Sequence, residues 1–100
     1  MQKYMQNKNV FRILRIVREI KASELANKLD ISAATISSIE NGRFSPGRRL
    51  LRDYAKALDV TPEFISEYAE IAKNEDCRYE EYLFQVLTAV IKMDMDKKNT

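Results

Sequence analysis

The sequence predicts an all-α protein, and three observations carry the prediction. Only two glycines and two prolines occur among 100 residues, at Gly42, Gly47, Pro46 and Pro62. Apolar residues make up 45% of the chain and recur at helical spacing along nearly all of it, so a core can be buried. Cap and stop residues divide that pattern into six segments. One hundred residues suffice for one compact domain plus a short extension, but not for two independent cores.

The elements follow in order. Asn7 or Asn9 can cap a first helix that runs to about Glu19, with Val10, Phe11, Ile13, Leu14, Ile16, Val17 and Ile20 as its apolar residues. A second helix over Ala22 to Leu29 buries Leu25, Ala26 and Leu29, and Asp30, which tolerates left-handed backbone, ends it. Ser32 is a good cap for a third helix from Ala33 to about Asn41 that buries Ile36 and Ile39. Asn41-Gly42 stops it. Ser45-Pro46 pairs a cap with a proline in the first turn, which predicts a fourth helix to about Leu58 burying Leu51, Tyr54, Ala55 and Leu58. Thr61-Pro62-Glu63 repeats the signal for a fifth helix carrying Phe64, Ile65, Tyr68 and Ile71. After the polar break Asn74-Glu75-Asp76, a sixth helix is predicted from about Arg78 to Met93, with a polar, frayed tail from Asp94 onward.

Charge is unevenly distributed. Residues 1–60 hold 12 Lys/Arg against 6 Asp/Glu, a net of +6, whereas residues 61–100 hold 5 against 9, a net of −4. A basic half joined to an acidic one points the first half alone toward a polyanion. Enzyme chemistry finds little to use: there is no His, and the lone Cys77 has no basic neighbour but Arg78. Glu63, Glu67 and Glu70 read as a solvated helix face, and no phosphate-cradling glycine loop occurs. No cofactor or metal is implied. The segment MQKYMQNKN lacks an apolar signal core, no run of about 18 apolar residues occurs, and Cys77 has no disulfide partner. The expectation is a protein of the reducing cytoplasm.

The second and third helices are separated only by Asp30 to Ser32, a turn so short that they must cross steeply, with Ala26 small beneath the crossing. One face of the third helix then projects outward, offering Ala33, Ala34, Ser37, Ser38 and Asn41, with Arg43 just beyond. None of these side chains would obstruct a DNA major groove about 12 Å wide. Here the stretch KASELANKLDISAATISSIENGRFSP resembles the phage-repressor (Cro-like, XRE-type) helix-turn-helix family, matching it at Leu25, Ala26, Ile31, Ser32, Ile36, Ser37, Ile39, Glu40, Gly42 and Pro46. The run YAKALDVTPEFI matches the family's fourth and fifth helices, so the resemblance covers about residues 10–66.

The resemblance implies a five-helix lambda-repressor-like DNA-binding domain with an additional C-terminal helix. It implies double-stranded DNA as partner and a transcriptional regulator, expected to be a repressor. Ala33, Ala34, Ser37 and Ser38 would read bases, while Ser32, Asn41, Arg43, Arg48 and Arg49 would hold phosphates. Arg15 and Glu40 resemble the family's structural ion pair between first and third helices, a role that depends on partial burial. Two departures stand out. The family's glutamine opening the second helix is Ala22, and the glycine closing its first is Glu19, so that connection is expected to bend some other way. The reading face also offers no Arg, Gln or Asn at Ala33, Ala34 and Ser38, so bidentate base contacts are missing there. Methyl contacts, DNA shape and dimer spacing are left to supply selectivity.

Ile13, Val17 and Ile20 form a second apolar stripe on the first helix, where the family usually has charges at 13, 16 and 17. The sixth helix is the candidate to cover it, by folding back, by pairing with its twin, or both. The division expected is a DNA-binding domain over residues 1–68 and an extension over residues 69–100. A homodimer is expected through Leu83, Val86, Leu87, Val90 and Ile91, facing a palindromic operator with half-sites about 34 Å apart. The alternative is an antitoxin or interaction module whose C-terminal helix binds a partner protein.

Overall fold

The computed structural model describes residues 9–73 and 78–98. Six helices and no strands occur among the described residues: α1 (Val10–Val17), α2 (Ala22–Leu29), α3 (Ala33–Glu40), α4 (Arg48–Leu58), α5 (Pro62–Lys73) and α6 (Tyr79–Lys98). Asn7, the break at 74–76 and Cys77 lie outside the described residues. Asn9 caps α1, its Oδ1 accepting from the backbone N–H of Phe11 at 2.9 Å and of Arg12 at 3.4 Å. Lys21 has no side-chain acceptor to cap α2, so Glu24 reaches back instead and accepts from the Lys21 N–H at 3.1 Å. Ser32 and Thr61 cap α3 and α5 through their hydroxyls, each at 3.0 Å from the N–H three residues on. Pro62 takes the first helical position of α5, where its missing N–H costs nothing.

Helices α1 to α4 all stop in the same way. Glu19 (φ 56°), Asp30 (φ 56°), Gly42 (φ 77°) and Asp59 (φ 60°) are left-handed. The next residue's N–H then returns to a carbonyl five residues back: Ile20 to Arg15 at 3.1 Å, Ile31 to Ala26 at 3.0 Å, Arg43 to Ser38 at 2.8 Å and Val60 to Ala55 at 3.0 Å. Only one of the four is the glycine this conformation favours. The connection after α1 therefore bends as a glycine would bend it, with Glu19 carrying the steric cost, and not by a different route. The helix itself ends at Val17, two residues before the expected stop.

Two further boundaries differ. Helix α4 begins at Arg48 after Gly47, not at Ser45-Pro46. Gly47, a poor residue for a helix interior, stays extended (φ −71°, ψ 177°) and takes the cap position, and Leu51 N–H makes the first helical bond to the Gly47 carbonyl at 2.8 Å. Helix α6 continues to Lys98 through the segment expected to fray. The reason is tertiary: Arg18 Nη1 donates to both oxygens of Asp94 at 3.0 and 3.2 Å, and Lys97 pairs with Asp59. Arg18 also donates through Nε to the Leu58 carbonyl (2.8 Å) and through Nη2 to the Asp59 carbonyl (2.9 Å), so one guanidinium joins the ends of α1 and α4 to α6.

A single core is built from Val10, Phe11, Ile13 and Leu14 of α1, Leu25 and Ala26 of α2, Ile36 and Ile39 of α3, Tyr54, Ala55 and Leu58 of α4, and Phe64 and Ile65 of α5. Tyr82, Val86 and Val90 of α6 join it. Val17 and Ile20 are half-buried against the same core, so the extra stripe of α1 is largely covered, while Ile16 remains 55% exposed. Position 68 lies inside α5, and the Tyr68 ring lies tilted at 6.5 Å from that of Tyr82, linking the two expected parts of the chain. No described helix is long and apolar enough to cross a membrane.

Candidate nucleic-acid interface

The α2–α3 pair owes its rigidity to short-range chemistry. Left-handed Asp30 turns the chain at once, and Ser32 restarts it as a helix two residues later. Leu25, Ala26, Ile36 and Ile39 are buried between the two helices and the core, so α3 has no freedom to roll about its axis.

Two contacts tie α3 to α1. Arg15 Nε donates to Glu40 Oε2 at 2.6 Å and Nη2 to Oε1 at 3.2 Å, a forked pair with side-chain exposures of only 17% and 9%. Its third donor, Nη1, reaches the Ile20 carbonyl at 3.1 Å. The bond to Glu40 pushes the Arg15 pKa up despite the opposing effect of burial. The second tie joins Asn9 Nδ2 to the Ile39 carbonyl at 3.0 Å, so one side chain caps α1 and satisfies the end of α3. Sequence reasoning identified Asn9 only as a cap, because its second bond spans 30 residues.

On the outer face of α3, Ala33, Ala34 and Ser37 are exposed, while Ser38, at the margin of that face, is half-buried. Ser32 Oγ is committed to Thr35, 3.0 Å from its N–H and 2.9 Å from its hydroxyl. Asn41 Nδ2 donates to Ser37 Oγ at 3.3 Å, fixing one of the few polar groups on this face. Beyond α3, Arg43, Arg48, Arg49 and Arg52 are all exposed, and none forms an ion pair with a described residue. Gly47 offers no side chain to the first amides of α4, so the free N–H groups lie beside Arg48 and Arg49. Phe44, passed over in the sequence, stands 47% exposed next to Arg43, held by a bond from its N–H to the Ser38 carbonyl at 3.2 Å. Among the described residues no cluster of His, Cys, Asp or Glu could hold a metal ion.

Two eight-residue helices joined by a three-residue turn, a fixed outward helix and exposed arginines at the next helix start define a DNA-binding helix-turn-helix module. Residues 12–65 match the family model described as Helix-turn-helix, more than half of the chain. The chain belongs to that family, in its XRE-type, Cro-like branch, and its six helices are a lambda-repressor-like fold with an added C-terminal helix. It is a DNA-binding helix-turn-helix regulator. No curated protein and no solved structure matches the chain.

Proposed function

We propose that the protein is a transcriptional repressor that binds a palindromic operator as a homodimer. The observation that carries this reading is the exposed, nearly featureless α3 face, followed along the chain by Arg43, Arg48, Arg49 and Arg52, all exposed and without an ion pair to a described residue. Exposed arginines clustered between the end of α3 and the first turns of α4 are suited to phosphates. Arg43, Arg48, Arg49 and the free amides of α4 grip the backbone and set the register, with Ser32 and Asn41 at the groove wall. Ala33 and Ala34 press on thymine methyls, and Ser37 and Ser38 make single hydrogen bonds to base edges. Such a contact set gives modest discrimination per half-site, and a second copy multiplies it.

Titration of duplex DNA at a series of salt concentrations tests the phosphate assignment. Three arginines per protomer in a dimer give a log–log slope of about −5, hence about a thousandfold loss between 50 and 200 mM salt. Arg43→Ala or Arg49→Ala weakens binding to every duplex and reduces the slope by about 2, whereas Ser38→Ala alters preference at one position. A flat salt response would remove the arginines from the interface.

A further inference from the structure

Helix α6 has two apolar faces on opposite sides. Tyr82, Val86 and Val90 point into the protomer's core, with Ala89 and Met93 half-buried beside them. About half a turn away, Phe84, Leu87, Ile91 and Met95 follow one another at steps of three and four residues, which is one line along a helix. Phe84 is 69% exposed, Ile91 58% and Met95 59%, and Leu87 is half-buried. Val86 and Val90, expected among the dimer contacts, are therefore occupied inside the protomer.

We infer that this outer line is the dimer surface, and that it pairs with the same line of a second copy in antiparallel orientation. The inference rests on the dimer reading above and assigns its surface and direction. Three features select a second copy so arranged, and the size of the contact sets its strength. The line exposes on the order of 400 Å² of apolar side chain, matching the largest patches that soluble monomers leave in water. It is self-complementary under a two-fold axis: reversal about the middle of the line lays Phe84 against Met95 of the other copy, and Leu87 near Ile91. The helix begins with Glu80 and Glu81. A parallel pair would set those carboxylates against their own twins, whereas an antiparallel pair keeps them at opposite ends and opposes the two dipoles. Finally, a 20-residue helix is about 30 Å long. Its contact falls below the roughly 800 Å² per partner of a standard stable interface, so the pair is weak, with Kd in the micromolar range.

Sedimentation velocity on the full chain from about 1 to 100 µM tests the association. The expected result is a monomer–dimer equilibrium that Ile91→Glu weakens at least about 100-fold without changing the circular dichroism melting curve. Direction is read by oxidative cross-linking in a Cys77→Ser background. Phe84→Cys together with Met95→Cys forms covalent dimers, and neither substitution does so alone. A chain monomeric at 100 µM would overturn the inference, and cross-linking by Phe84→Cys alone would overturn the antiparallel direction. Co-purification of a different protein that Ile91→Glu releases would reassign the face to a partner. Binding of the Ile91→Glu chain to a single half-site keeps the two readings separable. If that binding persists where self-association is absent, the surface fails and DNA reading stands. If dimers form but no duplex is bound, the reverse holds.

Discussion

Replacing Arg15 by methionine tests how α3 is held. Its partner Glu40 has a side chain only 9% exposed, so the carboxylate left behind would be desolvated and without its counter-charge. Stranding a buried charge costs about 3–5 kcal/mol, and losing the bond to the Ile20 carbonyl adds about 1 kcal/mol. Against a total stability of about 5–15 kcal/mol for a domain of this size, that is a large fraction. The melting temperature should fall by more than 10 °C, at about 4–8 °C per kcal/mol. Arg15→Met with Glu40→Met removes both charges and should recover most of the loss, because paired apolar replacements of buried ion pairs are close to neutral. Urea denaturation of the wild type, both single variants and the double variant closes a double-mutant cycle. A coupling of about 2–4 kcal/mol is expected. One below about 1 kcal/mol would mean that the pair behaves like a solvated one, and the burial argument would be wrong. The same variants separate stability from orientation: the double variant should fold well yet bind duplex DNA less tightly. Wild-type affinity in it would show that the pair does not aim α3.

Three other outcomes follow from particular residues. Glu19→Gly should raise stability by about 0.5–1 kcal/mol in urea titrations, since Glu19 is exposed, left-handed and acidic at a helix C-terminus; Glu19→Ala, which keeps the Cβ, should capture only the small charge part. Tyr54 packs edge-on against Phe11, its hydroxyl has no hydrogen-bond partner among the described residues, and burial pushes its pKa well up. The folded state keeps a proton that the unfolded state loses near pH 10, so this stabilisation is intact below pH 10 and is lost as pH rises further. Tyr54→Phe should be neutral or stabilising at pH 7 and should flatten the alkaline decline in melting temperature. Asp94→Ala should release the end of α6, seen as faster amide exchange over its last two turns with the rest of the helix unchanged.

Local chemistry made much of this protein legible in its sequence. Ser32 and Thr61 as caps, Asp30 as a left-handed stop and Asn41-Gly42 as an end are all decided within four residues, and the structure has them where spacing put them. What was not legible depends on distant partners. Helix α6 outlasts its polar tail because Arg18, 76 residues away, holds Asp94. Glu19 adopts a glycine's conformation because core packing on both sides outweighs its intrinsic preference. Helix α4 starts later than Ser45-Pro46 signals because Gly47, costly inside a helix, stays extended and takes the cap. For the site, exposed positions on α3 followed from periodicity alone, whereas the second tie through Asn9 and the exposed ring of Phe44 had no local signal.

A bare reading helix on a rigid frame, doubled as proposed, recognises a two-fold DNA site. Selection of bound sequences from random duplex DNA reads that symmetry out. Enrichment of an inverted repeat with half-site centres about one helical turn apart, AT-rich where Ala33 and Ala34 meet thymine methyls, is the predicted result. Recovery of unenriched sequences at moderate salt would contradict it, leaving a helix-turn-helix that holds DNA without reading it.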